Sequence, residues 1–444
     1  MLRPTTLPWA RPRYELLLLA LVAVAALTIV QPQSPQDWTR MCLTGALAHA
    51  RLTVDGCIDD SIDRSRYGGH FYSDKAPGMS LLSLPGYEAL RLPPPSRWSS
   101  IDRRLWLVRL TVCGVAFLLC AFLVGRVAEG LAPRWGGPTL VTFALGTLAL
   151  PFAATGFDHV PAMVLGFAAF LFLWSRRPLV AGLAAGLAVL VEYELAAVAL
   201  VLVAYAALLG RHAVARFALG AVPGVAALAA YNWRAFGAPW HNSLSYSANA
   251  YTEAHQHGIL GIRAPTLHAT RLVFSGEKGL LVTSPVLAAA AFGLWLLWRR
   301  GARAEAAVCA AVTVAFLVGE CGYFDPYGGT APGPRYFIPA LPFLALGLAP
   351  SFARLPWVTG GLAALSVVAS TTAALTWSTE NRYRQTVWGE LARVPGHWLD
   401  SKLVLSLTKN ALVFHGANDR IYGALIVGAC AAAALVVSVA AARR

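Results

Sequence analysis

The chain has 444 residues, 57% of them hydrophobic and 13% charged, with a net charge of +14 and a mean hydropathy of +0.57. A soluble protein of that length would hold two or three domains. Its repeated apolar runs exclude that, because each is close to the roughly 20 residues that cross a bilayer as helix. Backbone groups in hydrocarbon must be satisfied internally, and runs of this length manage it as helices rather than barrel strands.

Twelve such runs are predicted, at about 14–31, 104–125, 137–154, 160–175, 178–191, 195–210, 217–233, 280–298, 306–322, 336–352, 356–377 and 421–441. The first is long and lacks a small-residue cleavage site before Pro32, so it reads as a span and not as a removable signal peptide. Arginines mark every second connection: Arg3, Arg11 and Arg13, then Arg126 and Arg134, Arg176 and Arg177, Arg211 and Arg216, Arg299 to Arg303, Arg354, and Arg443 and Arg444. Positive charge stays inside, so both termini are expected in the cytoplasm, with the protein multi-pass in the plasma (inner) membrane. Residues 1–444 then form one integral membrane domain of all-α class. Its extracytoplasmic segments are a first loop at 32–103, a lid-like loop at 234–279 and a loop at 378–420 before the last span. No internal repeat is visible, nor the paired broken helices of many secondary transporters.

The first loop gathers eight of the chain's 22 carboxylates, namely Asp37, Asp55, Asp59, Asp60, Asp63, Asp74, Glu88 and Asp102. Its spacing predicts a surface helix over Asp37 to Arg51, with Asp37 placed to meet free backbone donors at the start. Tyr67-Gly68-Gly69-His70 reads as a turn. A second surface helix is expected from Gly78 to Leu90, ending before Pro93-Pro94-Pro95. Together they form a platform. Cys42 and Cys57 share this loop and can pair in an oxidising compartment. Cys113, Cys120, Cys309 and Cys430 lie in spans as small apolar fillers.

Farther along, Asp158 and His159 stand at an outer helix end, where an acid and an imidazole can ligate a divalent metal or contact substrate. Glu192 and Glu194 flank the tightest outer turn, and Glu192 is a further pocket candidate. Arg335 follows the rigid turn Pro332-Gly333-Pro334, which would hold a guanidinium suited to bidentate phosphate contact.

The acid beyond the first span, followed by Tyr72-Ser73-Asp74-Lys75-Ala76-Pro77-Gly78, resembles the first loop of the C-type membrane glycosyltransferases. The likeness is to the branch of the protein O-mannosyltransferases and the lipid A aminoarabinose transferase. Tyr231-Asn232-Trp233-Arg234-Ala235-Phe236-Gly237-Ala238-Pro239, Gly279-Leu280-Leu281-Val282-Thr283-Ser284-Pro285 and Gly333-Pro334-Arg335-Tyr336 follow in the same order. Ala76 departs from the family's Lys-Pro-Pro run and leaves the lysine in place.

The resemblance implies sugar transfer from a polyprenyl-phosphate donor to a glycan, lipid or protein acceptor at the outer membrane face. Asp37 matches the acid that would act as general base, and Lys75 matches the lysine that meets the donor phosphate, with Arg335 as its partner. Asp74, Tyr72 and His70 are candidates to line the pocket beside Asp158, His159 and Glu192. A divalent metal is the one cofactor to consider, membrane lipid is an expected partner and nucleic acid is not. A flippase of lipid-linked glycan, or a glycan polymerase or ligase, would share much of this pattern. A flippase, however, would carry polar groups at span midpoints, whereas here they gather at the outer ends.

Overall fold

The computed structural model describes residues 12–31, 33–58, 63–93, 103–248, 252–256, 261–376, 386–393 and 417–443. Most of the expected loop 378–420 lies outside them, as do Asp59, Asp60, Asp102 and Pro94-Pro95. The described chain is overwhelmingly helical. Its one sheet is a two-stranded hairpin in the first loop.

Among the described residues, five helices are long and apolar enough to cross a membrane: Arg103–Leu131, Arg211–Phe236, Arg303–Gly322, Pro356–Thr376 and Leu425–Ala442. Two further candidates are bent pairs. Leu267–Thr283 meets Val286–Arg299 at 89°, and Arg335–Ala345 meets Leu348–Arg354 at 53°. The first bend falls at Ser284-Pro285, where the proline ring drives the preceding residue out of helical geometry. Four apolar helices are shorter: Gly136–Leu145, His159–Trp174, Pro178–Val191 and Leu195–Leu208. A 14-residue helix rises only about 21 Å, against about 30 Å of hydrocarbon. The expected count of twelve is therefore not met by twelve full-length helices. Hydropathy registers apolar length and is blind to bends and shortfalls. With apolar side chains such as Leu219, Val222 and Val225 turned outward, the protein is a multi-pass membrane protein.

The first loop begins after helix α1 (Pro12–Leu27). Helix α2 (Pro35–Ala48) opens on a capping box in which the Ser34 hydroxyl accepts from Asp37 N–H and the Asp37 carboxylate accepts from Ser34 N–H. Strands β1 (Arg64–Tyr67) and β2 (His70–Ser73) pair antiparallel, with Tyr67 opposite His70. Gly68 and Gly69 both have positive φ, 58° and 87°, as a two-residue hairpin of the mirror-image turn type requires. The turn was legible in the sequence, whereas four-residue strands were too short to register. Helix α3 (Gly78–Leu90) follows, and helix α4 (Arg103–Leu131) returns to the membrane with a π-turn at Leu110–Gly114, directly after Arg109.

A disulfide joins Cys42 on α2 to Cys57, 15 positions later in sequence, with Cα atoms 5.9 Å apart. Closing a loop of that size restricts the unfolded chain by about 3 kcal/mol. Cys57→Ser is expected to lower the melting temperature in detergent accordingly, and an unshifted transition would show that the bridge adds nothing.

Two close approaches set the position of the site. On α3, a Cβ added at Gly78 would lie 2.5 Å from the Leu190 carbonyl oxygen, so α3 can start against the end of Pro178–Val191 only with glycine there. That helix packs backbone to backbone on Arg211–Phe236. A Cβ on Gly182 would sit 1.9 Å from the Phe217 oxygen, and one on Gly220 2.0 Å from the Leu179 oxygen. Such small-residue crossings substitute for a hydrophobic driving force in lipid. The result brings Lys75, just before α3, next to the turn Glu192-Tyr193-Glu194.

Candidate active site

A cavity of about 330 Å³ opens where the first loop meets the helices. Gln36 and Arg40 of α2 line it, with Asp74 and Lys75 of the strand-to-helix turn, Asp158 and His159, Glu192 to Glu194, Glu320, and Arg335 with Tyr336. Small or apolar residues complete one wall: Ala196, Ala197, Ala315, Phe316 and Gly319. His255 and Ile262 close the remaining wall.

Lys75, Arg335, Asp74, Asp158, His159 and Glu192, predicted from sequence, thus come together. Three other candidates do not line the cavity. His70 projects from the hairpin and pairs with Asp55 at 2.8 Å, outside the cavity. Tyr72 is buried beside it in an aromatic cluster, 5.1 Å from the Phe236 ring. Asp37 is buried and does not line the cavity. Arg109 donates from Nε to Asp37 Oδ1 at 2.9 Å and from Nη2 to Oδ2 at 2.7 Å. The N–H and hydroxyl of Ser34 reach Oδ2 at 2.8 and 2.6 Å. Both oxygens are taken, and a Cβ at Gly156 would already lie 1.9 Å from Oδ1.

The cavity cations differ in their partners. Lys75 Nζ donates to Asp74 at 2.9 Å and to Asp63 at 3.2 Å. Burial alone would lower it, but the two carboxylates outweigh that and keep it a firm ammonium. Burial pushes the Asp74 carboxyl up to about 6, with Lys75 opposing the rise and Asp63 adding to it. Arg40 Nη2 holds Asp158 at 2.6 Å. Burial would lift Asp158, and the Arg40 guanidinium overrides it, leaving the carboxylate below its usual range.

Arg335 has no carboxylate within ion-pair distance among the described residues. Its Nη2 donates to the Tyr336 hydroxyl at 3.0 Å, and its buried Nε has no acceptor. The guanidinium instead lies over the rings of Phe157 and Tyr336, at 5.1 and 5.0 Å.

Among the acids, Glu192 contacts His159 Nδ1 at 2.7 Å, and burial beside Asp158 pushes it well above the carboxylate range. Glu194 is half-buried on the cavity wall and carries no ion pair among the described residues. Burial, then the neighbouring Glu192 and Asp158, push its carboxyl up to about 7. Asp158, His159 and Glu192 bring ligand atoms within 4.8 Å of one another, the outline of a divalent-ion site. Arg40 holds one oxygen of Asp158 and His159 Nδ1 meets one oxygen of Glu192, while His159 Nε2 and Glu192 Oε2 are buried without a hydrogen-bond partner among the described residues.

Arg40, Gln36, Arg109, Glu320, His255 and Tyr323 were missed in the sequence. Arg109 and Glu320 had a signal, since an ionisable residue inside an apolar run is itself a site hypothesis. Gln36 and Arg40 had none apart from their four-residue spacing.

No protein-family model matches the sequence, and neither does any protein of curated function. Solved structures do resemble it. ArnT from Cupriavidus metallidurans bound to undecaprenyl phosphate superposes with a TM-score of 0.56 at 15% identity, covering 97% of this chain and 77% of that one. Its apo state gives 0.53 at 16%, with the same coverage. The archaeal oligosaccharyltransferase AglB from Archaeoglobus fulgidus, in complex with an inhibitory peptide and a dolichol-phosphate, gives 0.52 at 12%, covering 92% of this chain and 61% of AglB. This chain therefore spans under two thirds of AglB. Both are C-type glycosyltransferases, and at these identities the likeness is one of fold. The fold of this chain is that of the C-type membrane glycosyltransferases.

Proposed function

We propose that the protein transfers a sugar from a polyprenyl-phosphate donor to an acceptor hydroxyl at the outer face of the membrane. The observation that carries this reading is the cavity itself: among the described residues, a half-buried arginine free of carboxylates and a carboxylate without an ion pair line the same cavity, along with an apolar wall of small residues. The fold shared with an undecaprenyl-phosphate-bound transferase supports it. The Cys42–Cys57 bridge supports an oxidising, extracytoplasmic side for the first loop, and the arginine pattern supports cytoplasmic termini.

In this reading Arg335 holds the donor phosphate, with Arg40 and Lys75 completing the positive rim. Glu194 takes over the role that the sequence assigned to Asp37. It accepts the proton of the acceptor hydroxyl, whose oxygen bonds to the anomeric carbon of the sugar. The bond from that carbon to the phosphate oxygen breaks, and its electron pair leaves with the polyprenyl phosphate. Asp37, through Arg109, fixes α2 and so the position of Arg40. The donor's isoprenoid chain would lie along Ala196, Ala197, Ala315 and Gly319.

The purified chain in vesicles carrying undecaprenyl-phosphate hexoses, offered soluble glycan, lipid and peptide acceptors, is expected to release undecaprenyl phosphate as glycosylated product forms. Movement of the intact lipid across the bilayer without bond cleavage would replace this reading with a flippase.

A further inference from the structure

The candidate span Arg303–Gly322 carries two acids, Glu305 in its first turn and Glu320 near its end. Glu305 has a partner, accepting from the Tyr205 hydroxyl at 3.1 Å. Glu320 has none. The residue is 1% exposed, and neither buried carboxyl oxygen has a hydrogen-bond partner among the described residues. It lines the cavity on the same helix as Phe316 and Gly319. A buried acceptor left without a donor costs about 1–3 kcal/mol, and more when it is charged. Such a group needs a reason, and a ligand that supplies the donor is one.

Its neighbours narrow the donor's chemistry. Arg335 and Glu194 both act on Glu320 electrostatically. They are the groups read above as holding the donor phosphate and taking the acceptor's proton. A sugar whose anomeric carbon lies between those two would bring its next ring carbon toward Glu320. Arg335 already supplies positive charge to this corner, so a neutral hydroxyl suits it better than a second cation.

We infer that Glu320 determines the specificity for the transferred sugar, accepting a hydrogen bond from the hydroxyl on the ring carbon beside the anomeric one. The inference rests on reading the cavity as the transfer site. A donor lacking that hydroxyl would leave the carboxyl orphaned again, and a site built around a hydroxyl rejects its deoxy analogue for this reason. A hydrogen bond at that ring position also strengthens as charge develops at the anomeric carbon. The preference should therefore appear in kcat as well as in KM.

Glucose and mannose differ only in configuration at that carbon, and removing its hydroxyl gives one 2-deoxy sugar from both. The full-length chain in vesicles is offered undecaprenyl-phosphate glucose, undecaprenyl-phosphate mannose and the shared 2-deoxy donor. The unmodified chain is expected to favour at least one hydroxylated donor over the 2-deoxy donor by about 10²-fold or more in kcat/KM. Glu320→Leu fills the volume without an acceptor and should abolish that preference. It should not lower the melting temperature, because an unsatisfied carboxyl gives the fold nothing to lose. Glu320→Gln keeps one acceptor oxygen and should retain a preference in the same direction. Affinity for undecaprenyl phosphate, which has no sugar, should be the same in all three proteins.

An unmodified chain that uses the 2-deoxy donor as well as the others overturns the inference. So does a Glu320→Leu chain that keeps the preference, or one that fails to fold, since the carboxyl would then be serving the helix. Failure of the unmodified chain to cleave any of the three donors is a different result. It would remove the cavity as the transfer site, and the inference with it.

Discussion

Arg335→Gln is expected to lower sugar transfer by about 10²- to 10³-fold, the range seen when one preorganised donor to a developing charge is removed. Three cations border the cavity, but two are already neutralised. Arg40 is held by Asp158, and Lys75 by Asp63 and Asp74. Arg335 alone of the three meets only aromatic faces and one phenol, with its Nε left over. Binding a phosphate there costs no existing ion pair.

Arg335→Lys keeps the charge and loses the fork, so it should fall between the two. The assay pairs transfer rate with affinity for undecaprenyl phosphate, and Arg335→Gln must weaken both. A variant that transfers normally would remove Arg335 from the phosphate site. Lys75→Met makes a useful contrast. Stripping it takes the ion-pair partner from the buried Asp74, which at a buried pair costs about 3–5 kcal/mol, so a lower melting temperature should accompany any loss of rate.

Glu194→Gln is expected to cost about 10²- to 10⁴-fold, the usual contribution of a positioned general base. The pH profile separates this from a packing effect. A base must be unprotonated, and the Glu194 carboxyl is pushed up to about 7 by burial, then by Glu192 and Asp158. For the unmodified chain, kcat/KM should therefore rise with pH through about 7 and fall on the acid side as the carboxyl gains its proton. In Glu194→Gln that acid limb should vanish and the residual rate become flat. An acid limb that survives the substitution would move the base elsewhere on the cavity wall.

Much of the helical architecture was legible because apolar length is written directly into the chain. The site was legible in part. Lys75, Arg335, Asp158, His159 and Glu192 stand at helix ends or rigid turns, where a polar residue has little reason to be except solvation or function. Asp37 shows where linear reading fails. It sits at the start of α2, but on a helix of 3.6 residues per turn it points about 100° away from Gln36. Gln36 and Arg40, four residues apart, share the face that meets the cavity. Which of two adjacent residues looks inward depends on what α2 packs against, and Arg109, 72 residues later, decides it. Glu194 was passed over in favour of Glu192 for the same reason.

The glycine crossing between Pro178–Val191 and Arg211–Phe236 has a mechanical corollary. Where backbone touches backbone there is no side-chain layer to slide or repack, so this pair moves as one body. Glu192 and Glu194 ride on its end, and α3 leans on it through Gly78. The opposite wall is tied through individual contacts instead: the Ile262–Tyr323 bridge, the Arg263 N–H to the Gly322 carbonyl at 2.8 Å, the His255–Phe324 ring contact and the contact from His255 to the Tyr323 hydroxyl at 3.2 Å. Substrates that enlarge the cavity would thus displace the His255 side and leave the carboxylates where they are.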